Sequence, residues 1–134
     1  MEFSFWVQGR PAAQGSKRHV GGGRMIEASR FVGPWRQAVT HAALTVIDAE
    51  RWEKVLGPVE AEFVFHIARP ASVKESDRPL PIKPPDLDKL VRAVCDSLTD
   101  AGVWGDDGQV VRLTASKVYV PPGEDGCDVK VTAL

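Results

Sequence analysis

The sequence predicts an α+β fold: a single domain, residues 1–134, in which two helices pack on a mixed β-sheet in the order β-α-β-α-β-β. Three observations lead to this interpretation. The 134 residues suffice for one hydrophobic core and are too few to favour two domains. Two segments carry apolar residues at helical spacing, and four others show the residue pattern of strands.

The first half of the chain predicts one strand, a long loop and one helix. Aromatic and β-branched residues indicate a strand over residues 3–8, which the glycine and proline that follow bring to an end. Residues 9–33 hold several glycines and few apolar side chains, so we expect a loop over most of this length. From about Phe31 to Trp52, apolar residues recur every three or four positions, which is typical of an amphipathic helix.

The middle of the chain predicts a strand and then an irregular linker. Residues 59–68 alternate between apolar and mainly polar side chains, as in a strand with one buried face. Residues 69–85 contain five prolines, which lack the N–H group that sheet pairing requires. We therefore expect a linker within the domain.

The last third predicts a helix followed by two strands. Asp86-Leu87-Asp88 opens the helix and Gly102 closes it, with acidic residues at the end that the helix dipole makes positive. Strands are expected at about 110–120 and about 128–133, as a C-terminal pair joined by the turn-rich residues 121–126.

Composition excludes several classes of protein. The net charge of −1 excludes a uniformly basic nucleic-acid binder. The chain has neither an apolar run of about 20 residues nor the pattern of a secretory signal, so we expect a cytoplasmic protein without a membrane span. Cys95 and Cys127 have neither zinc-ligand spacing nor the pattern of a disulfide framework. The triple glycine at 21–23 lacks the context of a phosphate loop, so no nucleotide cofactor is expected.

Although the net charge of the chain is close to zero, the sequence contains two oppositely charged regions. Residues 8–36, here called the basic arm, have a net charge of +5. Residues 86–107 have a net charge of −4. Such segregation is typical of a protein that attracts a polyanion on one surface and cations on another. Plain solvation of the arm remains an equal alternative.

The aspartates of the acidic region are candidate metal ligands. Asp86 and Asp88 lie where the linker enters the helix, and Asp106 and Asp107 lie where a turn enters a strand. Mg²⁺ takes oxygen ligands at about 2.1 Å and often uses a few carboxylates for phosphate chemistry. On a regular helix Asp86 and Asp88 would point about 200° apart, so joint coordination requires Asp86 to lie outside the helix. The alternative is structural: Asp86 caps the helix and Asp88 complements its dipole.

Two sequence motifs resemble those of the RusA family of Holliday-junction resolvases. One is Pro85-Asp86-Leu87-Asp88 at the predicted helix start. The other is Trp104-Gly105-Asp106-Asp107-Gly108-Gln109-Val110, about twenty residues later. The resemblance implies a homodimeric, Mg²⁺-dependent endonuclease that nicks four-way DNA junctions, with Mn²⁺ as an expected substitute metal. It implies catalytic and metal-binding roles for Asp86, Asp88 and Asp107, with Asp106 as a further candidate ligand.

The chain departs from this family pattern at two positions. Lys89 stands where the family usually has Asn, and Arg92 stands where it usually has a functional Lys. Arg92 keeps the positive charge and remains a candidate catalytic residue, but an arginine effectively never deprotonates, so a proton-transfer role is put in doubt. An ion pair with Asp88 or Asp96 on the helix surface is the alternative. Asp96 itself suits a supporting role near the site or a structural ion pair equally well.

The predicted function is resolution of branched DNA by paired symmetric nicks. The alternatives are a metal-dependent nuclease for other branched DNA or RNA, and a binding module without catalysis. The candidate DNA contacts are basic residues of the arm and of the second helix: Arg10, Lys17, Arg18, Arg24 and Lys89.

Overall fold

A four-stranded mixed sheet forms the framework of the computed structural model. The structure describes residues 1–15, 17–19, 21, 25–27 and 30–134, with only the backbone for 17–19 and 25–27. In chain order the elements are β1 (Glu2–Gln8), β2 (Lys17–His19), β3 (Met25–Glu27), α1 (Val32–Glu50), β4 (Val59–Ala68), α2 (Leu87–Ala101), a 3-10 turn (Asp107–Gln109), β5 (Val110–Val120) and β6 (Gly126–Ala133). The strands and helices of the main sheet follow the predicted order β-α-β-α-β-β.

The strands lie in the order β1-β6-β4-β5. Strand β6 pairs antiparallel with both β1 and β4, whereas β5 pairs parallel with β4. The expected C-terminal pair is therefore wrong, because β4 separates the last two strands. Burial explains the arrangement: β6 alternates buried residues such as Val129 and Val131 and takes an inner position, while β5 carries exposed residues suited to an edge.

Both helices pack against one another and contribute to the core over the sheet. The predicted helical periodicity is confirmed, since α1 buries Trp35, Val39 and Ala43. Helix α2 buries Leu90, Val94 and Leu98 among others. These side chains meet the inward residues of the strands in one cluster, which anchors α2 rigidly at the sheet.

The loop predicted over residues 9–33 contains a short hairpin. Strands β2 and β3 pair antiparallel, with Lys17 opposite Glu27 and His19 opposite Met25. Strands of three residues are too short for apolar alternation to indicate them, which explains the difference from the expectation.

Arg24, one of the candidate DNA contacts, lies outside the described residues. No helix in the described part of the chain is long and apolar enough to cross a membrane.

Candidate active site

Asp86 occupies the N-cap position of α2 without capping it. Its backbone is extended, with φ −72° and ψ 135°, and its side chain makes no capping hydrogen bond. The carboxylate is 54% exposed and lies 3.7 Å from the Lys89 ammonium. Asp86 thus lies outside the helix, as joint coordination with Asp88 requires.

Lys117, which the sequence analysis did not identify, holds the chain that leads into Asp86. From β5 its Nζ donates hydrogen bonds to the carbonyl oxygens of Lys83, at 3.2 Å, and Pro85, at 2.9 Å. The Pro84–Pro85 peptide bond between these carbonyls is cis. No local pattern reveals this role, because the contact joins residues more than thirty positions apart.

The turn between α2 and β5 is built around Gln109. Its Oε1 accepts hydrogen bonds from the backbone N–H groups of Gly105 and Asp106, at 2.8 and 2.9 Å. Its Nε2 donates to the carbonyls of Val55 and Gly57, both at 2.8 Å. One amide side chain therefore ties the turn to the segment before β4.

Asp106 and Asp107 take different places in this turn. The Asp106 carboxylate accepts a hydrogen bond from the Gly108 N–H at 2.9 Å and caps the 3-10 turn. Trp104, at the start of the motif, is fully buried and donates its indole N–H to Thr99 at 2.7 Å. The buried tryptophan and the capped turn together fix the position from which Asp107 projects.

An open groove of about 520 Å³ brings Asp88, Arg92 and Asp107 together. The helix α2 forms one wall, and the turn with the start of β5 forms the other. Asp86 and Asp106 are not among the residues that line it. No hydrogen bond or ion pair to the carboxylates of Asp88 or Asp107 occurs within the described part of the chain. Arg92 and Arg112 line the same groove, so it offers carboxylate oxygens to a cation and guanidinium groups to a phosphate.

Arg92 lies at this groove beside the base of the basic arm. Its guanidinium Nη1 lies 2.9 Å from the place where a Cβ on Gly15 would stand, so only glycine fits without displacing it. Gln14 donates hydrogen bonds from its backbone to the Lys89 carbonyl and from its side chain to Asp96. Asp96 is thus engaged by Gln14, and the described residues contain no ion pair between Arg92 and Asp88 or Asp96.

Cys95 of α2 also lines the groove, and its thiol is buried. Burial raises the pKa of its thiol to about 12, and the Asp107 and Asp96 carboxylates raise it further. The buried thiol is neutral at physiological pH. Asp107 therefore lies close enough to α2 for its charge to act on the Cys95 thiol.

The donor set fits a hard divalent cation held in an open site. Among the described residues, no three or more His, Cys, Asp or Glu side chains lie close enough together to hold a metal ion between them, so any metal here would rest on fewer protein ligands. Mg²⁺ is usually bound through one or two carboxylates, with water and substrate phosphate oxygens completing its shell. Asp88 and Asp107 supply such a pair, and the exposed Asp86 lies at the end of the same helix.

The candidate DNA contacts are distributed over different surfaces. Arg10 lies over the Phe31 ring, with its guanidinium carbon 3.8 Å from the ring centre, and lines a second cavity. Lys89 is half-buried near Asp86. Lys17 and Arg18 belong to β2, and their side chains are not described.

Comparison with known proteins identifies the family. No curated protein matches the chain. The family model of endodeoxyribonuclease RusA matches residues 8–131, which include the groove, both motifs and the whole basic arm. A match over nearly all of the 134 residues confirms the resemblance of the motifs. The chain belongs to the RusA family of endodeoxyribonucleases, the Holliday-junction resolvases.

Proposed function

We propose that this chain resolves four-way DNA junctions as a Mg²⁺-dependent homodimer that makes paired symmetric nicks. The observation that carries the proposal is the groove that Asp88, Asp107 and Arg92 line together. Family membership supplies the substrate class, branched DNA, and the reaction class, phosphodiester hydrolysis.

The aspartates are assigned to binding the metal. Asp88 and Asp107 would hold it in the groove, and Asp86, at the N-terminal end of α2, would be a further ligand. When bound, Mg²⁺ supplies Lewis-acid polarisation of the phosphodiester and neutralises charge that develops in the transition state. Asp106 is a fourth candidate, although its carboxylate already caps the turn.

Arg92 is assigned to the phosphate. An exposed guanidinium at the groove can donate two parallel hydrogen bonds to phosphate oxygens and stabilise their negative charge. Because an arginine keeps its proton, Arg92 orients and stabilises the reacting group without moving a proton.

Dimerisation follows from the substrate. The described part of the chain brings Asp88 and Asp107 into one groove, whereas a four-way junction has approximate two-fold symmetry and requires two cuts. A two-fold dimer would present identical sites to the two opposed strands. This arrangement requires no second catalytic machinery within one chain.

A cleavage assay tests the proposal directly. Purified protein is incubated with a synthetic mobile junction, a fork and a linear duplex, each with Mg²⁺, with Mn²⁺ or with a chelator. We expect symmetric nicks in the junction with either metal and intact DNA with chelator. Preferred cutting of forks would redirect the function to other branched DNA. Junction binding without cleavage under every metal condition would identify a binding module.

A further inference from the structure

A second cavity, here called the linker pocket, shares no lining residue with the groove. It encloses about 450 Å³ between the proline-rich linker, β4 and the end of β5. Among the described residues that line it, four are cationic and one is acidic: Arg10, Arg69, Arg78, Lys83 and Asp125. The pocket therefore concentrates positive charge in a protein whose net charge is −1.

The Arg69 side chain of the linker pocket is held in place by the surrounding backbone. The Arg69 guanidinium donates to the carbonyls of Arg78, at 2.5 Å, and Pro79, at 3.3 Å. It also lies 4.3 Å from the ring centre of Tyr119, within cation–π distance. Arg69 is thus oriented before any ligand arrives, which lowers the entropic cost of binding.

Arg78 has unused hydrogen-bonding capacity in this pocket. Its Nε is shielded from solvent and has no hydrogen-bond partner among the described residues. A shielded donor without an acceptor is costly, so an acceptor that enters the pocket would be bound favourably. Because several cations and an unpaired donor lie in the same pocket, an anion with more than one oxygen atom would satisfy them best.

The position of the linker pocket indicates which anion would bind there. Pro84 and Pro85 form part of its wall, and Pro85 directly precedes Asp86. Asp86 lies two residues before Asp88 of the groove, so a DNA strand bound in the groove would pass close to the linker pocket. The next negative charges along that strand are its own phosphodiesters.

We propose that the linker pocket binds a backbone phosphate of the strand being cut, next to the scissile phosphate, through Arg69, Arg78 and Lys83. The inference rests on the proposed function for the identity of the strand. It adds a positioning site that holds the substrate in register beside the reacting group.

The test measures DNA binding in the absence of cleavage. The double variant Arg78→Gln with Lys83→Gln removes two charges from the pocket. The matched control, Lys54→Gln with Lys74→Gln, removes two charges from exposed side chains that do not line it. Fluorescence anisotropy with a labelled junction in chelator, over a series of salt concentrations, gives both affinity and salt slope.

We expect the pocket variant to lose about tenfold or more in affinity at about 0.1 M salt, with its slope smaller in magnitude by about 0.9 to 1.8. The control should bind like wild type, and Arg78→Lys should retain the wild-type slope because it keeps the charge. Melting curves verify that each variant is folded. Equal behaviour of folded pocket and control variants would overturn the proposal.

A substitution scan of the DNA locates the bound phosphate. Neutral methylphosphonates are placed singly at each position on either side of the cut. At one position near the cut, wild type should lose affinity while the pocket variant loses nothing further, because each change removes the same contact. Additive losses at every position would contradict the proposal.

The two proposals fail in distinguishable ways. A protein that binds junctions but cuts none refutes the proposed function, while the binding scan still tests the pocket. A protein that cuts junctions normally with a neutralised pocket refutes the pocket alone. Competition by millimolar inorganic phosphate, without any position-specific methylphosphonate effect, would assign the pocket to free phosphate and refute the DNA contact.

Discussion

Asp88 in the first turn of α2 and Asp107 in the turn before β5 line the same groove, and neither carboxylate is paired within the described part of the chain. Helix α2 is packed on the sheet through its apolar stripe, and β5 is paired along its length with β4. Rigid elements therefore bring the two carboxylates into one groove, which suits precise placement of a cation.

The first prediction concerns the aspartates that we propose as metal ligands. Asp88→Asn and Asp107→Asn should each lower junction cleavage at least about a hundredfold, because the metal loses a charged ligand. Asp86→Asn should act in the same direction. Junction binding should persist, and the control Asp48→Asn, an exposed residue near the end of α1, should cut like wild type. A variant that cuts normally removes its residue from the site.

The second prediction separates the two possible roles of Asp106. Asparagine caps a helical turn about as well as aspartate, so Asp106→Asn keeps the turn and removes only the charge. We expect retained cleavage and an unchanged melting temperature. Asp106→Ala should cost about 1 kcal/mol of stability. Loss of cleavage in a stable Asp106→Asn protein would instead establish Asp106 as a metal ligand.

The third prediction concerns Arg92. Arg92→Ala should lower single-turnover cleavage on the order of a hundredfold and affinity far less, because the guanidinium acts on the reacting phosphate. Arg92→Lys should recover part of the rate through its charge, but it lacks the bidentate geometry. Equal losses of rate and affinity in Arg92→Ala would assign the residue to DNA binding alone.

The fourth prediction is a loss of stability at alkaline pH. Burial raises the pKa of Cys127 above its ordinary value of 9.0, and the Asp128 carboxylate raises it further. Above pH 9 the unfolded thiol loses its proton while the folded thiol keeps it. The free energy of unfolding is therefore at its full value below pH 9 and falls as pH rises, by at most about 1.4 kcal/mol per pH unit for this group.

Urea unfolding at several pH values checks this alkaline effect. Cys127→Ala should be less stable than wild type near pH 7, because it leaves a small cavity, but its stability should fall less steeply above pH 9. Identical pH dependence in both proteins would show that Cys127 does not contribute.

The fifth prediction concerns assembly. Mixing wild type with the Asp88→Asn variant should produce heterodimers that leave junctions with a single nick. Sedimentation should show a dimer at concentrations that support cleavage. A fully active monomer, or a mixture whose activity is merely diluted without accumulation of single nicks, would contradict the dimer mechanism.

Much of the fold could be predicted from the sequence, because the spacing of apolar residues and the positions of glycines determine where helices and strands begin and end. The apolar stripe of α2 and its end at Gly102 agree with the structure, since a glycine with φ +85° closes the helix. The alternation of residues 59–68 likewise matches the burial of β4. The hairpin of β2 and β3 escaped prediction because three-residue strands carry too little periodicity.

The sequence by itself determined the family, the order of elements and the aspartates worth testing, because helix periodicity, proline content and two short motifs are local properties. Only the tertiary structure decided that Asp88 and Asp107 share a groove, that Asp106 caps a turn, and that β4 separates the last two strands. It alone revealed Lys117 on the Pro85 carbonyl and the basic pocket beside it. These features depend on contacts between residues far apart in the chain, and only packing of the whole core brings such residues together.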